Sequence, residues 1–160
     1  MFLHELIEFL YGNSQPESVK SFLIEQYAKT VDNNKGFFWE KVLEKKMKNH
    51  TVLLGSNTPG RDFRDNTDAK FSTYYKKDNG LGVWEASVSN VRKKIGPLRV
   101  CLCVPGDKLH RLHFLFIPRH AYVPYITGSD ALKFGLSPHG TPTGKLSKYI
   151  CSFDEVSRSY

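Results

Sequence analysis

The chain has 160 residues, of which 40% are apolar, 24% charged and 13% aromatic. That composition excludes disordered, collagen-like and low-complexity classes, and the length suffices for one domain with its own core. Lys and Arg number 23 against 16 Asp and Glu, and the formal net charge of +7 favours a polyanionic partner, above all nucleic acid.

The first third reads as helical. Phe2, Leu3, Leu6, Ile7 and Leu10 recur at helical spacing before Gly12 and Asn13 break the pattern. Ser14-Gln15-Pro16-Glu17 has the form of a capping box and opens a second helix, with Val19, Phe22, Leu23, Tyr27 and Val31 as its apolar stripe. Asp32 to Gly36 reads as a loop. A third helix is expected over residues 37–48, with Phe38, Val42 and Leu43 on one side and Lys41, Lys45, Lys46 and Lys48 on the other.

From residue 51 the pattern turns to strands. Thr51–Leu54 is a short apolar run, residues 60–76 suggest a hairpin, and Val83–Val91 alternates in part. Leu98–Val104 and Leu109–Ile117 are strongly apolar strands joined by the turn Pro105-Gly106-Asp107. A helical turn or two follows Pro118. From Thr127 onward the chain reads as loops with one short strand near Tyr149–Cys151. Helices followed by a mixed or antiparallel sheet give an α/β (α+β) class in one domain spanning residues 1–160.

The three cysteines, Cys101, Cys103 and Cys151, make no disulfide framework, which points to a reducing, cytoplasmic setting. No apolar run is long enough for a transmembrane helix. The N-terminus carries Glu5 and Glu8 without a basic start and is not expected to be a signal peptide.

The chemistry concentrates in Gly60-Arg61-Asp62-Phe63-Arg64-Asp65-Asn66-Thr67-Asp68-Ala69-Lys70. On a strand, Asp68 and Lys70 share a face, about 6.6–7 Å apart along the backbone. Arg64-Asp65-Asn66-Thr67 has turn composition, and a reversal there brings Asp62 back beside Asp68 and Lys70. Carboxylates gathered this way repel one another unless a cation sits among them. Mg²⁺ suits the role, because it takes one or two carboxylates and keeps water and phosphate oxygens as its remaining ligands.

An aspartate followed at short range by Asp-x-Lys resembles the active site of the PD-(D/E)xK nuclease superfamily, which includes the type II restriction endonucleases. Arg61, where that pattern has proline, precedes Asp62. The resemblance implies a restriction-endonuclease-like core with N-terminal helices, a mixed β-sheet and flanking helices. It implies Mg²⁺-dependent hydrolysis of DNA phosphodiester bonds at a short specific duplex site. Asp62 and Asp68 then hold the metal and Lys70 assists the water or the phosphate, with Asp65 the alternative first acid. Some members draw a further acid from a preceding helix, and Glu40 and Glu44 stand in position for it. One chain supplies one such site, so double-strand cleavage implies a homodimer. The alternatives are a structure-specific, repair or phage nuclease of the same fold, and a basic nucleic-acid-binding module without catalysis.

Two basic segments are candidate nucleic-acid contacts. Asn90, Arg92, Lys93, Lys94 and Arg99 cluster ahead of and within one strand, and Lys145 and Lys148 lie in the Gly- and Thr-rich C-terminal stretch. His110 and His113 fall on opposite faces of a strand and make no metal site, and Cys101 and Cys103 are expected to be buried free thiols.

Overall fold

Leu3, Leu6, Ile7 and Leu10 lie buried on one face of α1 (Leu3–Tyr11) in the computed structural model, as their spacing requires. The structure describes residues 1–12, 16–29, 32–47, 63, 65–73, 75–76, 82–88, 94–104, 110–126, 131–137 and 140–158. Gly12 ends α1 at φ 87°, its N–H donating to the Glu8 carbonyl at 2.8 Å. In α2 (Glu17–Lys29) the expected stripe is buried only toward its C-terminal end. Tyr27 packs against the rings of Phe38, Phe71 and His110, whereas Val19 and Phe22 are exposed.

The third helix, α3 (Asp32–Met47), starts earlier than expected, so Asp32–Gly36 is helical and not a loop. Gly36 costs about 1 kcal/mol inside a helix. Burial of Trp39, Val42, Leu43 and Met47, each worth roughly 1.5–3 kcal/mol, outweighs that cost. The run Thr51–Leu54 and the turn Pro105-Gly106-Asp107 lie outside the described residues.

The strands are β1 (Asp68–Thr73), β2 (Tyr75–Lys76), β3 (Gly82–Ser87), β4 (Leu98–Val104), β5 (Arg111–Ile117), β6 (Ala131–Leu136), β7 (Pro142–Thr143) and β8 (Ile150–Cys151). Short helices α4 (Arg119–Tyr122) and α5 (Phe153–Val156) and two 3₁₀ turns, Val123–Tyr125 and Lys145–Tyr149, complete the elements. The class is mixed α+β with two sheets. One sheet has the order β1-β4-β5-β8, with β1 parallel to β4 and the other pairs antiparallel. The other has the order β2-β3-β6-β7 and is antiparallel throughout.

Of the hairpin expected over residues 60–76, residues 60–62, 64 and 74 lie outside the described residues. Phe63 and Thr67 close a turn ahead of β1, and β1 pairs in parallel with β4, setting Asp68 opposite Leu98 and Lys70 opposite Val100. The strand β6, in a stretch expected to be loops, exists because β3 supplies its ladder partner.

β4 is buried on both faces, which is why it reads as an unbroken apolar run. Cys101 and Cys103 face the helical layer with Trp39, Leu43 and Phe114, while Leu98, Val100 and Leu102 face Trp84, Leu132 and Phe134 of the second sheet. Ser72 stitches the sheets together. Its hydroxyl donates to the Glu85 carbonyl at 2.7 Å and accepts from the Glu85 N–H at 3.1 Å. Among the described residues no helix is long and apolar enough to cross a membrane.

Candidate functional site

The turn before β1 is locked by its own side chains. The Asp65 carboxylate accepts from the Thr67 N–H at 3.2 Å and the Thr67 hydroxyl at 2.6 Å, the local closure that makes aspartate a turn residue. Asn66 takes φ 70°, a left-handed conformation that asparagine tolerates better than most residues. The second Asp65 oxygen accepts from the Arg99 guanidinium at 3.0 Å.

Arg99 lies within this lock and not on a DNA-facing surface. Its exposure is 0%, and its guanidinium also donates to the Thr67 hydroxyl at 3.1 Å and to the Val156 carbonyl. The Phe116 ring lies 4.9 Å away. Burial pulls the Arg99 pKa below its ordinary value, and Asp65 opposes the shift. Placing Arg99 among the nucleic-acid contacts is therefore corrected: its side chain is buried and its charge is engaged by Asp65. The same geometry assigns Asp65 to the turn. Asp62, the preferred first acid, lies outside the described residues.

One step along the chain, Asp68 opens β1 with 2% exposure, its N–H donating to the Pro97 carbonyl at 3.1 Å. Lys70, two residues on and on the same strand face, brings its Nζ to 3.4 Å from Asp68 Oδ2. A second ammonium, that of Lys94, pairs with the same oxygen. Lys94 is 8% exposed, so it too faces inward and is not the surface phosphate contact that the basic run suggests.

The segment holding Lys94 is pinned from three sides. A Cβ at Gly96 would sit 2.2 Å from the Asn66 carbonyl oxygen, so only glycine admits this approach of the two turns. The Tyr122 hydroxyl donates to the Gly96 carbonyl at 2.8 Å, and Arg119 Nε donates to the Lys94 carbonyl at 2.7 Å. Burial pushes the Tyr122 hydroxyl up to about 12, nearby Asp68 adds to the shift and Arg119 opposes it, so Tyr122 stays a neutral donor.

Glu40 of α3 belongs to the same field. Burial raises its carboxyl above the ordinary value and the Asp68 charge adds to that, while Lys70 and Lys41 act against it. Position alone marked Glu40 as a candidate, and the packing of α3 over β1 supplies the reason. Glu44 instead pairs with Lys41 at 3.5 Å. Among the described residues, Asp68 and Glu40 thus share one neighbourhood with Lys70, while Lys94 meets Asp68 and Lys41 acts on Glu40. Tyr122 and Arg119 went unrecognised in the sequence, because their link to Asp68 passes through backbone carbonyls.

Mg²⁺ takes one or two carboxylates, and here the Asp68 carboxylate already meets the ammonium groups of Lys70 and Lys94. Among the described residues no three His, Cys, Asp or Glu side chains gather around one point. His113 is half-buried against Trp84 and its pKa is held down by burial. Cys101 and Cys103 are buried free thiols.

Asn90, Arg92 and Lys93 lie outside the described residues. Lys145 and Lys148 are exposed and line a cleft of about 390 Å³ together with His120, Pro124, Tyr125 and Tyr149. This cleft borders the face of α4 and its following turn, and Tyr122 of the same helix points the other way, toward Gly96.

No family model matches the chain, and neither a curated protein nor a solved structure is significantly similar to it.

Proposed function

We propose that the chain is a Mg²⁺-dependent endonuclease of the restriction type, built on a restriction-endonuclease-like core and hydrolysing phosphodiester bonds of double-stranded DNA. The observation that carries this reading is Asp68, buried at the start of β1, with Lys70 on the same face and Glu40 reaching the same field from α3. In it, Asp68 and Glu40 hold the metal, with Asp62 as the further acid that the resemblance supplies. Mg²⁺, when bound, contributes stabilisation of charge on the phosphate and acidification of water. Lys70 orients the attacking water or holds a phosphate oxygen. Tyr122 and Arg119 keep the 94–96 segment in place and so hold the wall of the site. Lys145 and Lys148 meet the DNA backbone from the neighbouring cleft, and the +7 charge favours the encounter. A homodimer, acting in the cytoplasm, places two such sites on the two strands.

One observation favours a second reading. Asp68 faces two ammonium groups, which suits a structural ion-pair network in a non-catalytic nucleic-acid-binding module. Incubation of the purified chain with supercoiled plasmid decides between them, run with Mg²⁺, with a chelator, and with Asp68→Asn. Discrete fragments that need Mg²⁺ and vanish in Asp68→Asn are expected. Binding without cleavage, on plasmid and branched DNA alike, with Mg²⁺ or Mn²⁺, refutes the nuclease and leaves the binding module.

A further inference from the structure

We infer that the cleft between α4 with its following turn and the Lys145–Tyr149 turn seats one unpaired nucleotide, its base stacked on Tyr125 and its phosphate held by Lys145 and Lys148. The phosphate contacts rest on the nucleic-acid reading given above, and the base seat adds to it a part that contact with a duplex backbone does not need.

The walls are built before any ligand arrives. Tyr125 ends the Val123–Tyr125 turn, where Pro124 fixes the backbone and the Ile126 N–H donates to the Val123 carbonyl at 3.3 Å. That turn continues from α4, which Tyr122 and Arg119 tie to the 94–96 segment. On the opposite wall Gly144 enters the Lys145–Tyr149 turn at φ 96°. The Ser147 N–H and hydroxyl both donate to the Gly144 carbonyl, at 3.1 and 2.6 Å. Leu146 is buried and anchors this turn in the core that holds Trp84 and Tyr122, with Tyr149 packed against it. Both walls hang from one core, so a ligand is spared the cost of ordering them.

The lining then selects the ligand. The space is about 390 Å³, within the roughly 300–1,000 Å³ of small-molecule sites. Tyr125 is 42% exposed, so the fold leaves much of its surface uncovered. Lys148 Nζ lies 5.3 Å from the Tyr149 ring centroid, an attraction that steadies one ammonium at the rim. Lys145 adds a second, Pro124 and Leu146 add apolar surface, and among the described residues no Asp or Glu lines the cleft. An acidic peptide would engage the lysines and leave Tyr125 unused. An intact duplex would do the same, because its bases cover one another's faces. A nucleotide out of the stack uses both the ring and the ammonium groups.

The test is anisotropy of a short labelled oligothymidylate titrated with the full chain, with a chelator present so that no strand is cut. An abasic strand of the same length and charge and a duplex of the same length run beside it. The thymidylate strand is expected to bind about tenfold more tightly than the abasic one, the factor of about 1.4 kcal/mol that a stacked base can supply. Tyr125→Ala loses that factor, and Tyr125→Phe keeps it, because stacking uses the ring and not the hydroxyl. The double variant Lys145→Ser/Lys148→Ser weakens both strands alike. Thymidine monophosphate as competitor separates two sources of the nucleotide. Displacement at concentrations comparable to the strand's assigns the cleft to free nucleotides, and failure to displace assigns it to a nucleotide carried in a strand. Equal affinity for abasic and thymidylate strands, or unchanged affinity in Tyr125→Ala, overturns the base seat, and with the duplex still bound the DNA reading stands. Absence of binding to every nucleic acid overturns both.

Discussion

Replacing Asp65 with alanine tests whether this carboxylate builds the turn or serves the metal. The substitution leaves the Arg99 guanidinium, at 0% exposure, without its 3.0 Å carboxylate partner. Two hydrogen bonds from Thr67 to Asp65 go with it. Removing one partner of a buried pair costs about 3–5 kcal/mol, because the other charge stays buried and uncompensated. For a chain of this size that is a drop of about 6–20 °C in Tm, at roughly 2–4 °C per kcal/mol. The double variant Asp65→Ala/Arg99→Met removes both charges and should recover part of the loss, since contacting residues couple by about 0.5–3 kcal/mol. Urea unfolding of the two single variants and the double measures the cycle. Mn²⁺ affinity, read on whatever fraction of Asp65→Ala remains folded, is expected to change by less than about threefold, well under the roughly 1.4 kcal/mol of a tenfold effect. A stability loss below about 1 kcal/mol, the worth of an exposed pair, would refute the lock. So would a collapse of metal affinity at unchanged stability, which would make Asp65 a ligand.

Three further outcomes follow from the same geometry. Gly96→Ala drives a Cβ into the Asn66 carbonyl oxygen, and a loss of about 1–3 kcal/mol or more in urea unfolding is expected; an unchanged midpoint would show that the two turns can part without cost. Burial holds the His113 pKa below its ordinary value, so the unfolded chain binds the proton first as pH falls, and stability declines below the ordinary histidine pKa of about 6.5. In His113→Gln the difference in urea midpoint between about pH 7.5 and about pH 5.5 should narrow; an unchanged difference removes His113 from that dependence. The pair Lys145→Ser and Lys148→Ser should lower the salt dependence of duplex DNA binding by nearly two in log–log slope, at about 0.9 for each phosphate no longer neutralised. An unchanged slope shows that DNA does not enter that cleft.

The fold was legible wherever one residue pattern answered to one physical requirement. The spacing of Leu3, Leu6, Ile7 and Leu10 is that of a helix face, and Leu98–Val104 is apolar throughout because both of its faces are covered. The pairing of Asp68 with Lys70 followed from the two-residue period of a strand alone. What stayed hidden depends on partners distant in the chain. The ladder of β6 is supplied by β3, and the helical start at Asp32 is held by packing further along α3. Lys94 and Arg99 read as one basic patch with Arg92 and Lys93, because nothing local tells a solvated cation from one that will meet a buried carboxylate. The parallel register of β1 and β4 decides that, and registers between distant strands leave no local trace.

The way α1 is tied down bears on when the molecule can first work. Leu3 N–H donates to the His110 carbonyl and Leu112 N–H to the Met1 carbonyl, each at 2.7 Å, so α1 is docked by β5, which lies far along the chain from it. β1 likewise waits for β4 before its ladder closes. Synthesis runs from the N-terminus at roughly 5–20 residues per second. Until β5 is made, the apolar face of α1 has α2 and α3 to pack against but not the sheet. Earlier still, Asp68 has neither Lys94 nor a sheet beside it. The surroundings of Asp68 are complete only once β4 and the segment that carries Lys94 are in place.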